Sequence, residues 1–354
     1  MAKSEASDYI QPIYKDRALK HLIKLAGGKT AVKHMNPEQL LKMKKARDQV
    51  AKDMQFNTMK WFRPFPYQME FFNTGNKFVR RGMIAATRAG KTIASTYETA
   101  YHLTGLYPKW WKGKVWDKPI TAMCSGESWE QVAKTLQSKL LGCDDIKQSY
   151  KIGTGAIPKE AIDEKSMRTD GANVLAVEIW HSSGGKSKLY FSNYTQQVRH
   201  LQGFELDLVV LDEQPPDEIF SELVVRTAQR NGQVLCSFTP LKGMSGLVRK
   251  FWDKIDGYTH VRVTWDDIPY ENEWGEPFFS QDERDQMARD FMPWERECRM
   301  KGIPLVGKGV VFPLLDWPTY KPEDLELTKN SKLERLISFD LGRSEEHTSE
   351  LQSH

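Results

Sequence analysis

Cysteine is scarce: four in 354 residues (Cys124, Cys143, Cys236, Cys298), scattered, with no C-x-x-C and no histidine at ligand spacing. That spacing excludes a disulfide scaffold and a thiolate zinc site, and leaves reduced, mostly buried thiols. Long apolar runs are also absent. Nothing approaches the roughly 18 consecutive apolar residues of a membrane span, and the polar start MAKSEASDY is no signal peptide. The expectation is a cytoplasmic protein without a membrane partner. Charge of one sign is nearly balanced overall at +4, yet residues 1–60 carry 13 Lys/Arg against six Asp/Glu. Such a segment suits a polyanion or acidic partner, or is a solvated basic helix face.

What is present describes a globular chain, 40% apolar and 28% charged, long enough for two domains or one with appendages. Apolar residues at Tyr14, Ala18, Leu22 and Leu25 predict a helix stopped by Gly27-Gly28. Asn36 as N-cap and Pro37 at the first position predict a second helix through Met54. Residues 1–60 therefore read as a basic helical arm. From Trp61 the composition turns aromatic and proline-rich (WFRPFPYQMEFF). Strands are expected at Met83–Ala86, Pro119–Gly126, in a hairpin pairing VLAVEIWH with KLYFSNY, at Leu206–Glu213 and at Gln233–Pro240, with a helix from about Lys91 and another before Gln233. Alternating strands and helices predict an α/β fold with a mainly parallel sheet.

Three Gly-Lys-Ser/Thr tripeptides occur, and context separates them. Gly28-Lys29-Thr30 follows a helix, and Gly185-Lys186-Ser187 falls in a hairpin turn. Only Ala85–Thr92, AATRAGKT, lies between a strand and a helix, the setting of a phosphate loop. Backbone N–H groups of Thr87, Ala89 and Gly90 and the helix N-terminus would surround the phosphates, Lys91 would neutralise them, and the Thr92 hydroxyl would bind Mg²⁺. The opening glycine of the usual pattern is replaced by Ala85, which is tolerable if that position has ordinary negative φ. Arg88 is either a second phosphate ligand that stabilises the transferring phosphoryl group, or a surface arginine paired with a carboxylate. The apolar strand LVVLDEQ delivers Asp212, for the Mg²⁺ shell, and Glu213, to orient and deprotonate water. Phe65-Pro66-Tyr67-Gln68 reads as an adenine site, with Tyr67 packing on the base and Gln68 reading its edge. Ser237 and Thr239 stand where they would sense the γ-phosphate.

With intervening text that also fits (HLQGFELDLVVLDEQPP, CSFTPLKGMSG, PWERECRMKGIPLVGKGVVFP, LISFDLG), the chain resembles the large terminase subunit of tailed bacteriophages over about residues 61–342. The resemblance implies a P-loop NTPase of the additional-strand, catalytic-glutamate type. Residues 61–242 would be the ATPase core, 243–330 a small subdomain that transmits motion, and 331–342 the start of a ribonuclease H-like nuclease with Asp340 as a metal ligand. It implies an ATP- and Mg²⁺-dependent motor that moves double-stranded viral DNA, working with portal protein and small terminase subunit as a homo-oligomeric ring docked on the procapsid in the infected host's cytoplasm. Ser237 and Thr239 would belong to its coupling motif, and Arg226 or Arg230 would be an arginine acting in trans unless both are structural. Residues 343–354, RSEEHTSELQSH, match a translated sequencing adapter and are expected to be foreign. One carboxylate cannot build a two-metal nuclease site, so this chain is expected to lack nuclease activity. Two alternatives are a DExx-type helicase, for which no second lobe with Q-x-x-G-R-x-x-R follows Pro240, and a scaffold with a decayed nucleotide site, against which stand Lys91, Thr92, Asp212 and Glu213.

Overall fold

The computed structural model describes residues 10–195, 201, 203–272 and 274–305. Asp340, the expected nuclease start and the expected foreign tail lie outside the described residues. Among the described residues no helix is long and apolar enough to cross a membrane.

The arm consists of α1 (Pro12–Leu25) and α2 (Pro37–Phe56). Asn36 caps α2 through a reciprocal capping box with Gln39, which satisfies two orphan donors of the first turn. Gly27 and Gly28 both have positive φ, and Gly28 N–H bonds back to the Ile23 carbonyl, so the first Gly-Lys-Thr closes a helix. Ala18, Ala51 and Met54 form the apolar seam of the arm, against which Trp61 and Trp274 pack, and Arg17 pairs with Glu276 at 2.7 Å.

After α3 (Pro66–Thr74) come β1 (Arg80–Ala85), α4 (Lys91–Thr104), β2 (Thr121–Gly126), β3 (Ile162–Asp170), β4 (Asn173–Trp180), β5 (Lys186–Asn193), β6 (Leu208–Asp212), α5 (Asp217–Ala228), β7 (Gln233–Phe238), α6 (Gly246–Trp252), β8 (Tyr258–Val263), α7 (Gln281–Asp290) and α8 (Arg296–Lys301). They form one eight-stranded sheet in the order β3-β4-β5-β2-β6-β7-β1-β8. β3, β4 and β5 meander antiparallel at one edge, and all other pairings are parallel. The fold is thus α/β with a mainly parallel sheet, as the alternating pattern predicts. Gly184 and Gly185, with φ of 90° and 79°, make the β4–β5 turn that holds the third Gly-Lys-Ser.

The central strands are buried on both faces, and their side chains alternate between two cores. Leu208 and Val210 join the core of α3 and α4, while Val209 and Leu211 join that of α5 and α6. β7 lies between β1 and β6, so its end stands between the loop after β1 and the acidic end of β6.

Some boundaries differ from expectation for physical reasons. β1 begins at Arg80 rather than Met83, because Arg81 is fully buried and neutralised by Glu98 of α4, at 2.5 Å. β6 ends at Asp212 because Glu213 has a left-handed φ of 64°. The expected division at 242/243 does not coincide with a break in the sheet: β8 is its edge strand, and Leu247, Val248 and Phe251 of α6 belong to the same core as Val209. All four cysteines are free and buried.

Arg81, Glu98 and His102 form a fully buried cluster, with Gln233 accepting from Arg81 at 3.0 Å. Burial alone would raise the Glu98 pKa, but Arg81 and His102 together hold it below the usual carboxylate range. Burial pushes His102 down, so it stays neutral. Glu98→Gln is therefore expected to destabilise the fold by about 3–5 kcal/mol in urea titration, through an uncompensated Arg81. The unfolded chain protonates His102 below about pH 6.5 and Glu98 below about 4.5 while the folded chain resists both, so stability falls as pH drops through those values. Glu98→Gln should remove the lower of the two losses.

Candidate active site

α4 begins immediately after the loop, and its N-terminus carries no side-chain cap. Its first-turn N–H groups and the positive end of the helix dipole thus face the loop. Gly90 has φ 68°, which favours glycine, and a Cβ there would press on Gln68 Nε2 at 3.1 Å. Ala85 closes β1 and is not among the residues with positive φ. The missing opening glycine is therefore no defect. The left-handed non-glycine residue of the loop is Arg88, with φ 66°.

The polar side chains expected from sequence converge at the ends of β1, β7 and β6. Thr92 Oγ1 donates to Asp212 Oδ1 at 2.8 Å, and Ser237 Oγ donates to the same oxygen at 3.3 Å. Lys91 Nζ donates to Thr239 Oγ1 at 2.8 Å and to the Ala86 carbonyl at 3.3 Å. Thr239 Oγ1 in turn donates to the Ala85 carbonyl at 2.8 Å. The register sets Asp212 beside Ser237, and Glu213 N–H donates to the Ser237 carbonyl at 2.9 Å.

Lys91 and Asp212 are buried, and their desolvation dominates. Burial lowers the Lys91 pKa against the attraction of Glu213 and Asp212. It raises Asp212 despite the Thr92 bond and the Lys91 charge, and raises Glu213 despite Lys91. All three groups move toward their neutral forms.

Other expected residues have partners within the protein. Gln68, expected to read the base, makes two bonds within the protein: Oε1 accepts from Phe65 N–H at 2.9 Å and Nε2 donates to the Gly90 carbonyl at 3.2 Å. Tyr67, expected to pack on the base, is buried and donates to the Ala89 carbonyl at 3.1 Å. Arg88 lies half exposed, 3.3 Å from Glu283 and 5.0 Å over the Phe279 ring, while Thr87 is held by Trp265 and the Arg299 carbonyl. Arg226 pairs with Glu222 one turn away, and Arg230 with Glu205 and Asp207, near the start of β6 rather than its acidic end.

Sequence reading missed three contributors. The Tyr194 hydroxyl lies 3.0 Å from the Asp212 carbonyl and 3.2 Å from that of Glu213, bracing the Asp-Glu turn. Trp265 Nε1 donates to the Thr87 carbonyl at 3.0 Å, and Arg284 donates to the Trp265 carbonyl at 2.7 Å. Only a buried arginine and an aromatic run marked the last pair, and neither signals a site alone.

Arg88→Gly and Arg88→Ala both remove the guanidinium, but only alanine keeps the left-handed strain. The glycine variant should be the more stable by about 1 kcal/mol in chemical denaturation, and equal stability would contradict strain at this position.

The family model described as "Terminase large subunit, T4likevirus-type, N-terminal" matches residues 83–317. The chain is 32% identical over 272 residues to the terminase large subunit of Salmonella phage P22, covering 72% of this chain and 52% of that one. It is 27% identical over 203 residues to that of Enterobacteria phage LP7, covering 55% of this chain and 40% of that one. The chain thus spans about half the length of the curated relatives it matches. A solved structure of the large terminase from a thermophilic bacteriophage in complex with ADP is 14% identical, with a TM-score of 0.47, covering 68% of this chain and 52% of that chain. The family match takes in the end of β1, the phosphate loop, the acidic strand and the β7 hydroxyls alike, and on it the chain belongs to the terminase large subunit family of the T4-like virus type.

Proposed function

We propose that this chain is the ATP-hydrolysing part of a viral DNA-packaging motor, which couples hydrolysis to movement of double-stranded DNA into a procapsid. One observation carries the reading: Lys91, Thr92, Asp212, Glu213, Ser237 and Thr239, from three separate strand ends, are joined through the Thr92–Asp212 and Lys91–Thr239 bonds.

The donor set suits magnesium. Thr92 and Asp212 offer hard oxygen ligands side by side, and among the described residues no group of three or more His, Cys, Asp or Glu makes a closed metal cage. Mg²⁺ is commonly held this way, by one or two protein oxygens together with substrate phosphates and water. When bound, it would neutralise charge on the β- and γ-phosphates.

The chain's own residues supply the rest. Loop N–H groups and the α4 N-terminus bind the phosphates, and Lys91 exchanges Thr239 for the γ-phosphate. Glu213, its proton affinity raised by burial, accepts a proton from water as the water oxygen bonds to the γ-phosphorus. The bond to the ADP oxygen breaks, leaving ADP and inorganic phosphate. Loss of phosphate returns Lys91 to Thr239, so occupancy is registered at the end of β7. The division of labour proposed is a nucleotide-binding sheet through β8, an arm packed on its flank, and the segment from Trp265 onward bearing on the loop. Portal protein, small subunit, viral DNA and a ring of copies in the host cytoplasm are the partners and setting this role requires, with Arg226 or Arg230 reaching a neighbouring copy only after leaving its present carboxylate.

Steady-state ATPase assays test this. Glu213→Gln should lower kcat by about 10²–10⁴-fold with ATP still bound, and chelation of Mg²⁺ should abolish turnover. In the parent protein kcat/KM should fall as pH drops toward the raised Glu213 pKa, because the base is then protonated. Turnover equal in parent and Glu213→Gln would sink the motor reading, and duplex unwinding in place of packaging would favour a helicase.

A further inference from the structure

We propose that Tyr67, Gln68 and Trp265 are positioning residues that turn the peptide planes of the phosphate loop. The inference rests on the reading that this loop binds ATP.

Five loop carbonyls each accept a side-chain hydrogen bond: Ala85 from Thr239, Ala86 from Lys91, Thr87 from Trp265, Ala89 from Tyr67 and Gly90 from Gln68. The chain has no cis peptide bond among the described residues. In a trans peptide the C=O of one residue and the N–H of the next point to opposite sides. Holding the Thr87, Ala89 and Gly90 carbonyls therefore aims the N–H groups of Arg88, Gly90 and Lys91 each away from its side-chain donor. Those are the donors a phosphate cradle needs.

The three donors are themselves held firmly. Tyr67 and Gln68 lie in the first turn of α3, both buried. Trp265 is buried against Phe279 and Phe291, with ring centroids at 5.2 and 5.8 Å, and Arg284 fixes its carbonyl. Each end of the Gln68 amide holds backbone, Oε1 capping α3 and Nε2 holding the Gly90 carbonyl. Preorganised donors raise affinity for the triphosphate whatever base it carries.

The test uses the full chain with Mg²⁺ and three probes in calorimetric titrations: ATP, GTP and inorganic tripolyphosphate. Tyr67→Phe and Trp265→Phe keep the rings and lose one donor each. Gln68→Glu keeps the acceptor for Phe65 and loses the donor to Gly90. Each variant should bind ATP about three- to tenfold more weakly, the range of one neutral hydrogen bond, and should weaken the other two probes by the same factor. A merely structural defect would lower the binding stoichiometry at unchanged Kd, and that result counts against the proposal. So does Gln68→Glu weakening ATP while sparing GTP and tripolyphosphate, which would make Gln68 a base reader. Variants that bind like a parent that turns over ATP sink only the positioning role, whereas a parent that binds none of the probes sinks the ATPase reading with it.

Discussion

The bond from the Thr92 hydroxyl to the Asp212 carboxylate, 2.8 Å long, is the contact on which the rest of the site depends. It joins the helix that follows β1 to the end of β6, two strands between which β7 lies in the sheet. Because β7 is interposed, its last hydroxyls stand between them, Ser237 on the carboxylate and Thr239 on the lysine. The site thereby satisfies itself: Lys91, Thr92 and Asp212, the groups suited to phosphate and metal, each have a protein partner. Buried polar groups demand that, and a bound phosphate or metal would exchange or share these partners. A motor can use such an exchange, since the β7 end is then altered whenever phosphate arrives or leaves.

Electrostatics favour the same cycle. Burial drives Lys91, Asp212 and Glu213 toward neutrality together. A triphosphate with its cation would restore charge on Lys91 and Asp212 while leaving Glu213 ready to accept a proton, because a divalent ion inverts the local order of proton affinities. The strain held at Arg88 belongs to the rim of this arrangement. Its guanidinium rests on Phe279 and Glu283, which anchors the loop to the segment following β8.

Much of the fold was legible because its signals are local and strong. The apolar tetrad before Asp212, the Asn36-Pro37 helix start and the two-glycine hairpin each force one backbone solution, and each stands where its residues indicate. What was illegible depends on partners distant in sequence. Arg81 disguised the start of β1 because the Glu98 that neutralises it is 17 residues away on another element. β8 was hidden because a short strand after the last motif has no signal of its own until β1 pairs with it. At the site, residue types and positions were readable but roles less so. Gln68 and Tyr67 look the same in sequence whether they face a base or a carbonyl, and Trp265 carries no motif at all. Arg88 had two readings, and the carboxylate it meets in the fold, Glu283, lies 195 residues on.

The most direct test of the central contact is a double-mutant cycle on nucleotide affinity with Thr92→Val, Asp212→Asn and the pair, measured with Mg²⁺ present and with chelator. Strong coupling is expected with Mg²⁺, above about tenfold or 1.4 kcal/mol, because the two oxygens would hold one ion in the proposed site, and none without it. Additive effects in the presence of Mg²⁺ would contradict a shared metal site and, with it, the assignment of this strand end to ATP hydrolysis.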